Sequence, residues 1–212
     1  PLPVVKATVL FVLRSLIRED IPLNDGILRG IDIRVPKDSM LNPPQGAAVV
    51  AGNVETSQAL CDLLFEALKV KANSQGTMNN LSFGNQRYQY YETIGGGSGA
   101  TLKRDGASAL QVNMTNSLLT DPEVFETHYP VVLELMAKRQ GSGGLGEHRG
   151  GDGIIRRLRF LEPMTVSMLS QFRVSRPKGL EGGGAGSRGR NLLETSKGQQ
   201  ELEECFEVDV AI

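Results

Sequence analysis

GAAVVAGNVETSQALCDLLFEALKVKANSQGTMNNLSFGNQRYQYYETIGGGSGATLKRDG, residues 46–106, decides how this chain is read. Its first half predicts a helix over about 54–70. Asn53 stands where a cap belongs, and Glu55 falls in the first turn, where the helix dipole favours a carboxylate. Leu60, Leu63, Leu64, Ala67 and Leu68 form one apolar stripe, with Glu55, Asp62, Glu66 and Lys69 mostly off it. After Ala72 the reading turns to strands and glycine loops, with strands expected at Thr77–Phe83 and Tyr88–Ile94. Small amides, hydroxyls and glycines crowd these elements: Asn53, Glu55, Ser57 and Gln58, then Gln75, Gly76, Thr77, Asn79 and Asn80, then Glu92 and Gly95 to Gly97. Such side chains do not build a core. Set between apolar runs, they make a rigid hydrogen-bonding surface, as a binding or active site requires.

Outward from this stretch, Val4–Arg18 reads as a helix, with Lys6, Arg14 and Arg18 on one polar stripe at multiples of four. A loop follows from Glu19 to Gly26. Ile31, Ile33 and Val35 alternate with Asp32 and Arg34, which predicts a half-buried strand. Further strands are expected at Ala109–Asn116, Val131–Lys138, Ile154–Leu161, Thr165–Ser170 and Phe206–Ile212. Asp121-Pro122-Glu123 opens a short helical turn before Tyr129-Pro130. Two main helices (near 4–18 and 54–70), many strands and glycine-rich loops predict an α+β fold, strand-rich toward its C-terminus.

Bulk composition narrows function by exclusion. A net charge of −1 gives no global attraction to nucleic acid or anionic lipid. The absence of Trp, with 5% aromatic residues, argues against a base-stacking surface. Val4–Ile17 is apolar but broken by Lys6 and Arg14, too short to span a bilayer, and followed by no small-residue cleavage site. No nucleic-acid partner and no membrane association are therefore expected. Cys61 and Cys205 lie on apolar segments and read as two buried free thiols in a reducing, cytoplasmic compartment. A start at Pro1 without Met, and an end at Ile212 inside an expected strand, suggest one domain, 1–212, truncated at both ends.

Several motifs resolve to structural readings. Gly141-Ser142-Gly143-Gly144-Leu145-Gly146 fits G-x-G-x-x-G, but a dinucleotide site needs a helix after that turn, and here a strand follows. The segment reads as a glycine-rich strand connection. Gly95–Gly99 reads first as a tight loop and second as a close approach of backbone to a ligand. Glu92 and Asp105 flank that loop as possible paired carboxylates. His128 and His148 have no ligand spacing around them, and no metal ligand is assigned. Arg149, Arg156, Arg157, Arg159, Arg173, Arg176, Lys178, Arg188 and Arg190 read as solvated strand faces or a subunit interface, balanced by the acidic tail Glu201–Asp209.

Seven stretches together resemble one family: Ile21–Ile33 (IPLNDGILRGIDI), Val49–Gln58, Ser74–Asn85, Tyr90–Ala100, Met114–Val131, Gly141–Pro163 and Gly179–Asn191. In order and content they resemble the C-terminal part of the hydantoinase B/5-oxoprolinase family, which includes the alpha subunit of acetone carboxylase. The resemblance implies a two-component enzyme. An actin-like, hydantoinase A-type ATPase subunit or domain uses ATP to phosphorylate a lactam or carbonyl oxygen. The B component then opens the activated ring with water or, in the acetone carboxylase branch, joins a ketone to carboxyphosphate chemistry. Phosphorylation makes sense because an amide is a poor electrophile until its oxygen becomes part of a leaving group. The family's His/Asp-rich segment for a divalent metal is expected upstream of Pro1, and its glycine-rich close beyond Ile212. No cofactor is expected within the chain.

Residue chemistry and resemblance together nominate Glu92, Asn79 and Asn80 as catalytic, and Asn53, Glu55, Gln58, Gln75, Gly76, Thr77, Gly95 and Gly96 as substrate-binding. The expected activity is ATP-dependent hydrolysis of a small cyclic amide, of 5-oxoprolinase or N-methylhydantoinase type, in a homo-oligomer. Two readings stand beside it: an acetone-carboxylase-like subunit, and a non-catalytic platform that docks the ATPase component. A concave placement of the polar cluster favours the enzyme; a flat, apolar-rimmed face favours the platform.

Overall fold

The computed structural model describes residues 2–210. It contains three helices and eight strands, all antiparallel, as the α+β reading requires. Helix α1 (Leu2–Leu16) packs on α2 (Ser57–Ala67) around Val12, Cys61 and Phe65. The central sheet runs β2 (Gln89–Thr93), β1 (Asn80–Gly84), β5 (Met164–Leu169), β8 (Cys205–Val210). Two hairpins, β3 (Val131–Arg139) with β4 (Gly153–Phe160) and β6 (Asn191–Thr195) with β7 (Gly198–Leu202), complete the strands. Ile212 of the last expected strand lies outside the described residues.

The main core forms between the sheet and the β3–β4 hairpin. Alternation puts Leu81, Phe83, Tyr90, Met164, Val166 and Met168 on the sheet's inner face, and Leu158 and Phe160 meet them from β4. Phe125, on the short helix α3 (Pro122–His128), plugs the end of this layer with 0% exposure. As the sequence implies, α3 starts at Asp121, whose Oδ1 accepts the N–H groups of Glu123 (3.0 Å) and Val124 (3.3 Å), with Pro122 at the first position.

Four expectations are corrected. The helix over 54–70 is in fact a π-turn (Gly52–Thr56) leading into α2, so Asn53 is no α-helical cap; its carbonyl accepts the Ser57 hydroxyl. The buried face of α2 is Ser57, Gln58, Cys61, Asp62 and Phe65, whereas Leu63 and Leu68 are exposed. Residues 31–35 and 109–116 are not strands: the first has no pairing partner among the described residues, and the second makes a single bridge, Gly96 to Leu110. Of the two free thiols, Cys61 is buried and Cys205 is exposed. Burial pushes the Cys61 thiol up to about 12, which keeps it protonated.

The glycine-rich segments form a layer of their own. Gly141–Asp152 joins β3 to β4 and lies against residues 96–99 and 106–109, through Gly151 N–H to Ser98 O (2.9 Å), Gly106 N–H to Arg149 O (2.7 Å) and Ala109 N–H to Asp152 O (2.9 Å). Residues 177–186 add Gly184 N–H to Leu145 O (2.7 Å) and receive Asn73 N–H at Lys178 O (3.1 Å). Main chain rests directly on main chain, so a Cβ on Gly97 would collide with the Gly151 carbonyl. Gly97→Ala is expected to destabilise the protein by about 1–3 kcal/mol, through overpacking against backbone that cannot rotate away. An unchanged denaturation midpoint would show that the layer yields.

Candidate functional site

A cleft of about 1360 Å³ opens between the inner face of the sheet, the β3–β4 hairpin, the β6–β7 hairpin and the glycine layer. Four of the nominated residues line it: Gln75, Asn79, Gly95 and Gly96. Gln75 donates to Thr77 O (3.1 Å) and Ile94 O (3.3 Å), and its Oε1 is buried with no partner. Asn79 sits at φ +49, a left-handed position that Asn tolerates. Its Oδ1 accepts Arg173 Nη1 at 3.4 Å. Gly95 and Gly96 carry no side chain because Leu110 backbone and the Gln75 side chain occupy the space where a Cβ would stand.

A second group forms on the outer face of β1 and β2. Asn80 and Tyr91 share that face by register, and Tyr91 OH donates to Asn80 Oδ1. Asn80 Nδ2 lies 3.4 Å from Glu55 Oε1, which the π-turn presents from the other side. Burial pushes the Glu55 carboxyl up to about 7; a Thr77 hydrogen bond opposes the rise, and the charge of Glu204 adds to it. A half-buried carboxyl that titrates near neutrality, with an amide and a phenol beside it, is suited to moving protons. Asn53 is exposed on the same π-turn.

The remaining nominees are interior. Gln58 is 0% exposed: Nε2 donates to Val112 O (3.1 Å) and to Thr115 Oγ1, and Oε1 accepts Met114 N–H (3.2 Å). It fixes loop 112–115 to α2. Thr77 is buried and its Oγ1 accepts Asn79 N–H (3.3 Å). Gly76, at φ +87, leaves room for Gln171 and Phe172. Glu92 ends in a buried ion pair with Arg156, their side chains 3% and 5% exposed. Its Oε2 also accepts Tyr90 OH (2.5 Å) and Thr120 N–H (3.3 Å). The Arg156 guanidinium lies 5.2 Å over the Phe125 ring. Asp105, the other carboxylate near the glycine loop, is instead exposed beside His148 (3.4 Å).

Two arginines from the basic cluster are therefore not on solvated faces, contrary to expectation. Arg156 follows Ile154 and precedes Leu158 and Phe160 at period two, which is the signal that places it inward. Arg173 is half-buried at the cleft, and no periodicity announces it, because 171–173 is irregular. Arg157, Arg159 and Arg190 do form exposed pairs, with Glu194, Glu134 and Glu201. His128 Nδ1 bonds Val124 O at 2.8 Å. Among the described residues no three His, Cys, Asp or Glu side chains converge, so this donor set does not fit a divalent metal. Nor is any described helix long and apolar enough to cross a membrane.

The family model for hydantoinase B/oxoprolinase matches residues 1–211. This chain belongs to the hydantoinase B/oxoprolinase family. Among its relatives, 5-oxoprolinase 1 of Arabidopsis thaliana is 50% identical over 92% of the chain, and 5-oxoprolinase of Dictyostelium discoideum is 45% identical over 94%. The hydantoinase B/oxoprolinase chain spans only 15% and 16% of the length of those two proteins. Its fold is that of the ATP-dependent caprolactamase from Pseudomonas jessenii, with a TM-score of 0.74 at 20% identity, covering 97% of this chain and 39% of that one. Acetone carboxylase in its nucleotide-free structure gives 0.71 at 22% identity, over 87% of this chain and 27% of that one.

Proposed function

We propose that this chain is part of an ATP-dependent cyclic amide hydrolase of 5-oxoprolinase type, within the component that opens the phosphorylated ring. The observation that carries this reading is the 50% identity to 5-oxoprolinase 1 across 92% of the chain. The site chemistry supports it. Glu55, held by Asn80, which Tyr91 holds in turn, is a carboxyl suited to taking a proton from water on the face of the sheet outside the cleft. The concave placement of Gln75, Asn79, Gly95 and Gly96 favours an enzyme over a docking platform. ATP is spent on the partner, a hydantoinase A-type ATPase subunit or domain, which makes the leaving group. The assembly works in the cytoplasm as a homo-oligomer, with its divalent metal held by residues outside this chain.

The intact protein that contains this chain, with its ATPase partner, is expected to open 5-oxoproline only when ATP is supplied. Product formation and phosphate release measured together check this. Ring opening of hydantoin alone would move the reading to the N-methylhydantoinase type. No ATP-dependent opening of either ring would discard it.

A further inference from the structure

Arg173 is a cation whose side chain hydrogen-bonds only to neutral groups. Its Nε donates to Asn191 Oδ1 (3.1 Å), and its Nη1 donates to Gln171 O (2.6 Å) and Asn79 Oδ1 (3.4 Å). Nη2 takes part in none of these bonds. Gly189 makes room for the guanidinium, since a Cβ there would lie 2.7 Å from Arg173 Cζ. The neighbouring carboxylate, Glu204, spends Oε1 on the main-chain N–H groups of Arg173 (2.8 Å) and Val174 (3.3 Å). A second cation, Arg139, lines the same cleft, with its Nη1 on Arg188 O (2.6 Å). The corner is built and also strained: Phe172, beside Arg173, sits at φ +59, where a bulky side chain is disfavoured.

We propose that the Arg173 corner of the cleft is a subsite for an oxyanion, the phosphate or carboxylate group of a small ligand. A desolvated guanidinium with a free edge gains most from a charged acceptor, which it takes in a planar, two-pronged contact. Burial lowers the Arg173 pKa to about 10, an effect that Glu204 opposes and Arg139 reinforces; a bound anion would relieve it. The subsite rests on the reading of the chain as a 5-oxoprolinase-type component, whose substrate carries a carboxylate and whose intermediate carries a phosphoryl group.

The test is binding without nucleotide. The intact protein is titrated with inorganic phosphate and separately with 5-oxoproline, as wild type, Arg173→Met, Asn79→Asp and the remote, exposed Arg34→Met. Arg173→Met is expected to weaken at least one probe tenfold or more, while Arg34→Met leaves both unchanged. Loss confined to phosphate identifies a phosphoryl subsite; loss confined to 5-oxoproline identifies a carboxylate subsite. Should Arg173→Met fail to fold, Asn79→Asp decides, because it sets a carboxylate on the guanidinium in an isosteric frame and must weaken binding at least fivefold. Unchanged binding in either folded variant, or no binding by wild type, overturns the subsite. Phosphate binding through Arg173 in a protein that opens no cyclic amide keeps the subsite and discards the proposed function; ring opening that ignores Arg173 does the reverse.

Discussion

Glu92→Ala is expected to cost about 3–5 kcal/mol of folding stability, because it strands the Arg156 guanidinium inside the protein with no counter-charge. The pair is nearly sealed from solvent, at 3% and 5% exposure. Glu92 also anchors Tyr90 OH and Thr120 N–H, so its loss frees the Thr120 N–H and leaves Tyr90 OH with Thr120 Oγ1 alone. Removing both charges should reverse most of the damage: Glu92→Leu with Arg156→Met leaves an apolar layer beside Phe125 and is expected to fall within about 1–2 kcal/mol of wild type. Chemical denaturation of Glu92→Leu, Arg156→Met and the double closes the cycle. If Glu92→Ala costs under about 1 kcal/mol, the interior is not held by this pair. The same geometry defines what a kinetic result on Glu92 would mean. Lost turnover in Glu92→Ala that returns in the double variant reports folding, not a reacting carboxylate.

Glu55→Gln is expected to lower turnover about 100-fold or more, the range for loss of a positioned general base. The pH behaviour separates this role from a merely structural one. Wild-type activity should rise as pH passes through about 7, where the Glu55 carboxyl ionises. Stability runs the other way. Its folded pKa lies above the unfolded value of 4.5, so folding favours the protonated form, and stability falls as pH climbs from there through about 7. Because the side chain is half-exposed, solvent screening reduces the loss to about 1–2 kcal/mol. Glu55→Gln removes that slope. Denaturation at about pH 5 and pH 8, set beside rate profiles over the same range, measures both effects. A Gln variant that keeps its turnover removes Glu55 from the chemistry.

Much of the fold was legible because it depends on alternation. Tyr88–Ile94, Thr165–Ser170 and Val131–Lys138 carry the period-two pattern and pair as strands β2, β5 and β3. Residues 31–35 carry it too, yet a strand exists only in a ladder, and periodicity says nothing of a partner. Helix α2 was legible as an element but not as a face. Its inward side is Gln58, Asp62 and Cys61, which bind Val112 O and the Ser74 N–H or pack against Val12. Hydropathy assigns Gln58 and Asp62 to water. The β6–β7 hairpin was missed because Asn191–Leu202 carries Thr195 as its one β-branched residue, although Lys197-Gly198, with Gly198 at φ +121, marks its turn.

The candidate site was legible in residue type and illegible in partition. Asn79 faces the cleft, Asn80 the opposite side of the sheet, and Glu92 the core. Asn79 turns away from Asn80 at a left-handed position just before β1, and Glu92 lies on the inner face of β2 by alternation. Arg173 and Glu204 were passed over because each matters through a partner distant in sequence: Asn79 and Asn191 for the first, the main chain at 173–174 for the second.

The glycine layer writes much of one wall of the cleft in main chain, with side chains such as Leu145 and His148 set between the glycines. Its glycine positions have no alphabet: mutation can add bulk there but cannot substitute one chemistry for another. Gly97, Gly99, Gly106, Gly143 and Gly151 each have carbonyl or amide atoms where a Cβ would go. Any drift in what the cleft accepts must therefore be carried by side chains, those of β4, β6 and residues 171–173 and those set between the glycines. The glycine positions then stay a fixed template, and a change of ligand has only the side chains between and opposite them to work with.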